Sequence, residues 1–512
     1  AQPKGHGVQF FHSADPVGKS SSYLCVTSVP PNCRSSHPLL LQSHGWLDGT
    51  LEEAFAPENF DLAKKDTWPL VRPREDLRFT SREGLKFLKV GPRRVHMQYM
   101  REASTKQPLL SLVFIRWGGE DAVVGVSEES NDGDWGTYGC PASDEYMSAV
   151  VKKGLMGHPR LTGKLNPSFK FEAFSLFVKN TPAVEAIEHA APYLRTLLKG
   201  KHTTSFWMLW PVDWIDTRGA DYAAYVERQA LFRAMRALES AGIRTGFPHP
   251  PDQYEMITSK TWMASLSLDP RSRLPAGTMV SKGTILSNPQ RAARQALAAL
   301  EFIREGNNIG EHGPSAVNKA GMKKGVVKLG FSWEARYVMI FNGEEDLAEK
   351  LTEIMTNEGS LASSCIVQEW VDFDFEMRLY FLPPDEWLPG QKLEPTRVEC
   401  NAWSGSMENG SRRNFHKLSK EKVLADYWEG DSAAFKAAKK QAVHNAQFLI
   451  AWLRSLDAQL VPMVRLDFMC LRTGPGKVQV VFGEYCEMGA CCLGWEDGPP
   501  TIWRAALDRA LE

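Results

Sequence analysis

The stretch VRLDFMCLRTGPGKVQVVFGEYCE, residues 464–487, is the most informative part of this 512-residue sequence. Two apolar runs, at residues 462–471 and 477–486, flank a Gly-Pro-Gly turn, and this pattern predicts a tight β-hairpin. Asp467 lies in the first run and Glu484 in the second, so the hairpin brings two carboxylates together. Two such carboxylates repel each other unless a proton or a cation lies between them. The stretch therefore predicts a cation site, and Mg²⁺ suits it because this hard ion binds carboxylates.

A third acid, Glu487, follows Glu484 by three residues and is a further candidate ligand. The alternative is that these acids are solvated side chains at the ends of an ordinary hairpin. The hairpin alone leaves both interpretations open, and the residues upstream of it help to choose between them.

An acidic and a basic residue share one face of the strand that is predicted at residues 375–382. Glu376 and Arg378 are two residues apart, and side chains at that spacing project from the same side of a strand. That face would carry opposite charges beside an aromatic lining. An ordinary ion pair between strands is the alternative to a binding role.

Farther upstream, a lysine stands in the middle of an apolar segment. Lys328 belongs to the sequence GVVKLG at residues 325–330, which predicts a strand. Burying an ammonium group without a partner is costly, so this side chain needs an acceptor or an anion. A phosphate group is a natural partner, and a structural salt bridge is the alternative.

The composition excludes several classes of protein. The 60 Lys and Arg residues nearly balance 61 Asp and Glu residues, so a general surface for nucleic acid or anionic lipid is not expected. No apolar run reaches the roughly 18–20 residues that span a bilayer. The sequence has no H-E-x-x-H or G-x-S-x-G motif, so a zinc protease and a serine hydrolase have no support. We predict a soluble protein with no nucleic-acid and no membrane partner.

The nine cysteines include no C-x-x-C pair, which predicts reduced, buried thiols and a reducing compartment, cytoplasmic or organellar. The first residues carry neither a signal-peptide core nor an initiator Met. The exact compartment, and whether a targeting segment was removed, therefore stay open.

The predicted elements divide the chain into an irregular part and a regular part. Residues 1–202 form an α+β region of unknown role, in which we expect strands at 85–90, 95–100, 109–117 and 122–126 and a helix at 181–198. A strand, a helix and a strand follow, and they predict a small open α/β subdomain, with bounds of 206–210, 221–241 and 243–247. Later helices are expected at 289–305, 344–356, 500–511 and from about 431, and later strands at 325–329, 337–341, 364–371, 375–382, 396–403, 462–471 and 477–486.

In order and spacing, these features resemble the ATP-grasp superfamily over roughly residues 205–512. In that family ATP lies between two α+β subdomains. The resemblance implies an α/β chain with an α+β ATP-grasp fold, divided into an N-terminal α+β region at 1–202, a pre-ATP-grasp subdomain at 203–255, a lysine and lid subdomain at 256–371, and a C-terminal metal-binding subdomain at 372–512.

The resemblance also implies roles for individual residues. Lys260, in the sequence TSKTW, and Lys328 match the two phosphate-binding lysines of the family, and Glu376 matches the acid that faces the ribose. Hinge residues that meet adenine would be Gln368, Glu369, Trp370 and Val371. Arginines that approach phosphate or the acyl group would be Arg336, Arg378, Arg412 and Arg413. Ligands of Mg²⁺ would be Asp467, Glu484 and Glu487.

Two departures from the family pattern stand out. The last family motif is usually Glu-x-Asn, with the Asn on a second magnesium ion, whereas this chain has Glu484 followed two residues later by Cys486. Glu487 could substitute for the Asn, or one of the two ions could be lost. The lid is usually rich in glycine, whereas residues 331–336 read FSWEAR.

By family analogy, the function is an ATP-dependent ligase that joins a carboxylate to an amine through an acyl phosphate and releases ADP and phosphate. The carboxylate could belong to a small molecule, a peptide or a protein. The first alternative is a non-catalytic ATP-binding module or assembly factor, and the second is an ATP-grasp phosphotransferase. The sequence identifies neither the substrate nor a general base.

Overall fold

The structure is a computed structural model, and the residues that it describes are 8–14, 20–26, 39–42, 108–117, 158–161, 171–178, 181–214, 225–307, 323–332, 337–382, 393–404, 414–456, 464–487, 495 and 497–512. The strands expected at 85–90, 95–100 and 122–126 lie outside these residues.

The first sheet combines an antiparallel half with a parallel half. Its strand order is β1-β2-β3-β5-β4-β6-β9, in which β4, β5, β6 and β9 run parallel, and β7 and β8 form a separate ribbon. The strands are β1 (Val8–Ala14), β2 (Ser20–Val26), β3 (Leu39–Gln42), β4 (Leu110–Trp117), β5 (Phe171–Val178), β6 (His202–Trp207), β7 (Trp210–Val212), β8 (Tyr225–Glu227) and β9 (Arg244–Phe247). This one sheet includes strands from both sides of the boundary that the sequence predicted at residue 203. The predicted domain boundaries stay predictions.

The helices α1 (Thr181–Leu197) and α2 (Arg228–Ser240) belong to this part of the chain. Pro192 lies inside α1 without splitting it, at an exposed position. The prediction that α2 begins near residue 221 is wrong, because the Glu227 carboxylate accepts hydrogen bonds from the first backbone amides of the helix and fixes its start. The predicted strand at 206–210 ends at Trp207 instead, although the apolar run continues.

The second sheet has four antiparallel strands in the order β10-β13-β11-β12. They are β10 (Gly277–Ser281), β11 (Lys324–Lys328), β12 (Val338–Asn342) and β13 (Ser364–Glu369), and the helices around them are α3 (Pro251–Ser259), α4 (Trp262–Leu266), α5 (Lys282–Ser287), α6 (Pro289–Asn307) and α7 (Gly343–Thr356). Val327 and Val367 pack against Leu300 of α6 and Leu351 of α7 in one core. Since strand side chains alternate, Lys328 projects from the opposite face of the sheet.

The third sheet has five antiparallel strands in the order β16-β15-β14-β17-β18. They are β14 (Phe375–Phe381), β15 (Arg397–Ser404), β16 (Asn414–Leu418), β17 (Val464–Gly474) and β18 (Lys477–Cys486), followed or interrupted by α8 (Lys420–Asp426), α9 (Ser432–Leu456) and α10 (Gly498–Ala510). Met377, Phe468 and Phe482 pack with Ala446 and Leu449 of α9 in a buried core. This sheet is therefore apolar on the face that α9 covers.

Most elements expected after residue 289 are confirmed to within a few residues, whereas α3, α4, α5, α8, β10 and β16 were not predicted. Leu456 is the last residue of α9 and is 55% exposed. Cys365, Cys400, Cys470 and Cys486, the cysteines whose side chains the structure describes, are buried and free, as predicted. Two α+β subdomains, each with an antiparallel sheet backed by helices, confirm the predicted α+β class of this part of the chain.

None of the described helices combines the length and the apolarity that a bilayer crossing requires.

Candidate functional site

The face of the third sheet opposite α9 carries charged side chains. Arg378 on β14 lies directly opposite Asp467 on β17, and Glu376 is two residues from Arg378. Arg378 Nε donates to Glu376 Oε1 at 2.6 Å, so the predicted shared face of these two residues is confirmed. Arg378 Nε also lies 3.7 Å from Asp467 Oδ2. Buried charges of both signs therefore meet on this face.

A β-bulge in β18 places one of its acids on the same charged face. Asp467 pairs with Glu484, whereas Phe468 pairs with Phe482, so Gly483 is an extra residue on β18. Such a bulge reverses the alternation of side chains along the strand. A Cβ atom at Gly483 would lie 3.1 Å from the Asp467 carbonyl oxygen, which favours glycine here. The bulge places Glu484 on the charged face although Phe482, two residues earlier, lies in the core.

Asp467, Glu484 and Cys486 each offer one ligand atom, and these atoms all lie within 4.8 Å of one another. Asp467 is buried, Glu484 is partly buried, and the Cys486 thiol lies 3.4 Å from Asp467 Oδ2 and 3.5 Å from Glu484 Oε1. The structure therefore brings together the two acids that the hairpin was expected to bring together. Their role as metal ligands stays a prediction.

Glu487, the third predicted ligand, is 2% exposed, and its Oε1 has no hydrogen-bond partner among the described residues. Burial raises the pKa of Glu487 to about 7. An unpaired buried acceptor costs about 1–3 kcal/mol, so a cation or water near it would relieve that cost. Two carboxylates opposite each other and this unpaired oxygen suit a divalent cation, whereas the thiol is a softer donor than Mg²⁺ prefers.

Arg465 belongs to the site but was not predicted. Its Nε and Nη2 atoms donate to the two carboxylate oxygens of Asp467, each at 2.8 Å, and Nη2 lies 2.9 Å from Cys486 Sγ. The side chain is 6% exposed. The sequence signal was available, since Arg465 and Asp467 are two residues apart on one strand, as are Glu376 and Arg378.

Lys260 reaches this site from another element. It follows the last residue of α3 in a left-handed conformation, and its Nζ lies 3.6 Å from Glu484 Oε2. The same ammonium donates to the Ser332 carbonyl oxygen at 2.9 Å. Trp262, which follows in α4, packs against Tyr485 of β18 with ring centroids 4.7 Å apart. This packing explains why a lysine more than 200 residues away in sequence lies beside Glu484.

Lys328 approaches from the second sheet. Its Nζ donates to Gln368 Oε1 at 2.9 Å across the paired strands β11 and β13. Burial lowers the pKa of Lys328 to about 8, with Lys260 acting in the same direction and Glu484 opposing it. Burial alone would raise the pKa of Glu484, but Lys260, Lys328 and Arg465 outweigh it and hold that pKa below its ordinary range. Lys260, Lys328 and Glu484 therefore share one electrostatic environment.

The other predicted hinge residues lie beside Gln368 and are largely engaged within the protein. Glu369 is 2% exposed, and its Oε1 accepts a hydrogen bond from the Ala276 backbone amide at 2.9 Å. The Trp370 indole donates to Asp372 Oδ1 at 2.9 Å, and Val371 packs against Val481. Their contact with adenine stays a prediction. Arg336, Arg412 and Arg413 lie outside the described residues.

The backbone segments that carry Lys260 and Lys328 are in close contact. A Cβ atom at Gly330 would lie 2.1 Å from the Ser259 carbonyl oxygen, which is far too close for any side chain. Ser259 directly precedes Lys260, and Gly330 follows Lys328 by two residues. Glycine at this position therefore sets the distance between the end of α3 and the end of β11.

We expect Gly330→Ala to destabilise the protein by about 1–3 kcal/mol, because the added methyl group forces α3 away from β11. Urea unfolding would measure the change in the free energy of unfolding. Gly283→Ala in α5 is the matched control, since its Cβ would meet no atom within 4 Å and alanine favours a helix. Equal stability of the two variants would contradict the proposed close contact.

The described residues of the site carry charges of both signs. Its cations are Lys260, Lys328, Arg378 and Arg465, and its acids are Glu376, Asp467, Glu484 and Glu487. These acids offset part of the positive charge of the site within the protein itself.

No protein-family model and no curated protein matches the chain. Among solved structures it is similar to D-cycloserine synthetase DcsG, with 14% identity and a TM-score of 0.41 over 78% of this chain and 99% of that chain. D-alanyl-alanine synthetase A from Vibrio cholerae O1 biovar eltor has 10% identity and a TM-score of 0.41, over 79% and 99% of the two chains. VanG D-Ala:D-Ser ligase from Enterococcus faecalis has 12% identity and a TM-score of 0.41, over 78% and 98%. Similarity at this level says nothing about the activity of this chain.

Proposed function

We propose that the chain is an ATP-dependent ligase that joins a carboxylate to an amine through an acyl phosphate and releases ADP and phosphate. The observation that carries this proposal is the convergence of Lys260, Lys328 and Glu484, which come from α3, β11 and β18, with Lys260 Nζ 3.6 Å from Glu484 Oε2. A purely structural ion pair needs one cation and one acid. Here two lysines, one with its pKa lowered by burial, meet one carboxylate.

Polyphosphate binding explains this surplus of cations. Both ammonium groups act on Glu484 of the third sheet, and phosphate oxygens could replace Glu484 and the Ser332 carbonyl as partners of Lys260. Glu484 would then be free to bind a metal ion instead of pairing with Lys260. In such an exchange each buried ammonium keeps an anionic partner, which lowers the cost of burying it.

In the proposed reaction, a carboxylate oxygen of the substrate attacks the γ-phosphorus of ATP, the bond to the bridging oxygen breaks, and ADP leaves. The amine nitrogen then attacks the acyl carbon, the phosphate leaves with the C–O electron pair, and the amine loses a proton. Lys260 and Lys328 would hold the phosphate oxygens, and Arg378 would stabilise the charge that develops beside Asp467. Phosphoryl transfer demands mainly such positioning and charge neutralisation.

Asp467 and Glu484, with Glu487 beside them, would hold the divalent cation that accompanies ATP. When bound, such an ion supplies positive charge to the phosphate oxygens as a Lewis acid. Arg465 fixes the orientation of the Asp467 carboxylate through two hydrogen bonds.

One observation favours the alternative of a non-catalytic nucleotide-binding module. Both oxygens of Asp467 accept hydrogen bonds from Arg465, so less of its charge is available to a metal ion. That reading predicts that nucleotide raises the melting temperature but is never turned over.

An ADP-release assay over pooled carboxylates and pooled amines would test the proposal. A ligase forms ADP only when both a carboxylate and an amine are present. The covalent product has the mass of the carboxylate plus the amine minus water. ADP formation without an amine would favour a phosphotransferase instead. Binding of ATP with no turnover in any pool would favour the non-catalytic module and overturn the ligase proposal.

A further inference from the structure

Cys486 differs in its surroundings from Cys365, Cys400 and Cys470, the other cysteines whose side chains the structure describes. Cys400 and Cys470 lie in the core between the third sheet and α9, and Cys365 lies in the core of the second sheet. Cys486 instead lies opposite Arg465 on the charged face, with Arg465 Nη2 at 2.9 Å, Asp467 Oδ2 at 3.4 Å and Glu484 Oε1 at 3.5 Å from its Sγ atom. Packing alone does not explain a thiol among three charged groups.

The distances from the sulfur to the two acids suit a shared ion. A cation bound to oxygen at about 2.1 Å and to sulfur at about 2.3 Å places these donors about 3.1–3.6 Å apart for bond angles of about 90–110°. The observed separations of 3.4 and 3.5 Å fall in that range. The sulfur therefore lies at a distance from each acid that suits a shared ion, and the three ligand atoms all lie within 4.8 Å of one another.

Glu487 provides an independent sign of a cation. Its side chain is 2% exposed, and its Oε1 has no partner among the residues that the structure describes. Glu487 directly follows Cys486 in the chain, and the charges of Glu484 and Arg465 act on it. Burial of an unpaired acceptor is costly, and a nearby cation would offset that cost.

We propose that Cys486 is a metal ligand together with Asp467 and Glu484, and that its sulfur makes the site prefer a softer divalent ion such as Co²⁺ or Zn²⁺ over Mg²⁺. The proposal rests on the cation site of the proposed function but not on ligase turnover. Sulfur binds Co²⁺ and Zn²⁺ well, whereas Mg²⁺ prefers oxygen donors. On binding, the S–H bond breaks, the sulfur keeps the electron pair for the metal, and the proton passes to solvent.

Titration of the full chain with Co²⁺ tests this proposal without any turnover. A cobalt–thiolate bond gives a near-ultraviolet charge-transfer absorption that carboxylate ligands do not give. We expect this absorption in the wild-type protein and its loss in Cys486→Asn and Cys486→Ser. Replacing the sulfur with an amide oxygen should also weaken Co²⁺ and Zn²⁺ binding by about 10- to 100-fold. Calorimetric competition should show that Mg²⁺ displaces Co²⁺ more readily in Cys486→Asn than in the wild type.

Cys365→Ala is the control for metal binding by a core thiol, and a melting curve for each variant shows that it is folded. Retention of the absorption in Cys486→Asn would overturn the proposal, because another cysteine would then be the ligand. Absence of the absorption from the wild type, with and without a non-hydrolysable ATP analogue, would overturn it as well. If the wild-type protein shows the absorption but no ligase turnover, the result contradicts the proposed function and leaves the metal proposal intact.

Discussion

Asp467→Asn is expected to lower the rate of ADP formation at least about 100-fold, because it removes the negative charge of a predicted metal ligand. Asp467 is 2% exposed and lies directly opposite Glu484 on the paired strands β17 and β18. The neutral amide is a much weaker ligand for a divalent cation. ADP release at saturating ATP, with any substrate pair found by the pooled assay, would measure the loss.

The same substitution is expected to lower the free energy of unfolding by about 3–5 kcal/mol, since it leaves Arg465 as a buried cation without its carboxylate. Both guanidinium contacts to Asp467 measure 2.8 Å, and both side chains are buried. Activity must therefore be compared well below the melting temperature of the variant. A fall in stability without loss of turnover would mean that Asp467 serves only to pair Arg465.

The exposed pair of Asp269 with Arg271 offers a matched control, because Asp269→Asn removes a carboxylate from a guanidinium on the surface. Surface pairs contribute about 0–1 kcal/mol, so this variant should keep nearly normal stability and full turnover. Equal activity of Asp467→Asn and Asp269→Asn would contradict the metal assignment.

Lys328→Met is expected to weaken ATP binding by about 10- to 100-fold, because a hydrogen bond to a charged group contributes about 1.5–3 kcal/mol. The stability of the protein without nucleotide should change by less than about 1 kcal/mol. Loss of the bond to Gln368 Oε1 costs stability, whereas removal of a partly buried ammonium relieves its desolvation. A residue kept for structure would show the opposite pattern, with low stability and normal binding.

Melting curves with and without ATP would measure both effects. A tenfold weaker affinity removes about 1.4 kcal/mol of the stabilisation that saturating ligand provides. Lys350→Met is the control, since Lys350 lies on α7 and pairs with Glu353 on the surface at 3.0 Å. If ATP stabilises Lys328→Met and Lys350→Met equally, Lys328 does not contact phosphate.

The lowered pKa of Lys328 also predicts a pH dependence. Below about pH 8 the lysine is charged in the folded and the unfolded chain, whereas above it the folded protein loses the proton first. Unfolding then takes up a proton, so the contribution of this group to stability rises with pH from about 8 to the ordinary range of lysine. ATP affinity should fall over the same range by at most about tenfold per pH unit, and this component should be missing in Lys328→Met. Calorimetric binding curves at several pH values would detect it.

Local patterns in the sequence determined much of the fold. The hairpin of β17 and β18, the long helix α9 and the spacing of Glu376 and Arg378 follow from alternation, capping and turn residues within short windows. Lys328 was identified because an ammonium in an apolar strand is costly without a partner. Such signals are readable because they depend on neighbours in sequence.

Only the tertiary structure decided how these residues combine. Simple alternation from Phe482 would place Glu484 in the core, and the bulge at Gly483 reverses that. Arg465 is a site residue because its guanidinium reaches Asp467, and Lys260 is one because Trp262 packs on Tyr485. Register shifts and packing between distant segments depend on backbone pairing and side-chain shape across the whole chain, and no short window of sequence contains them.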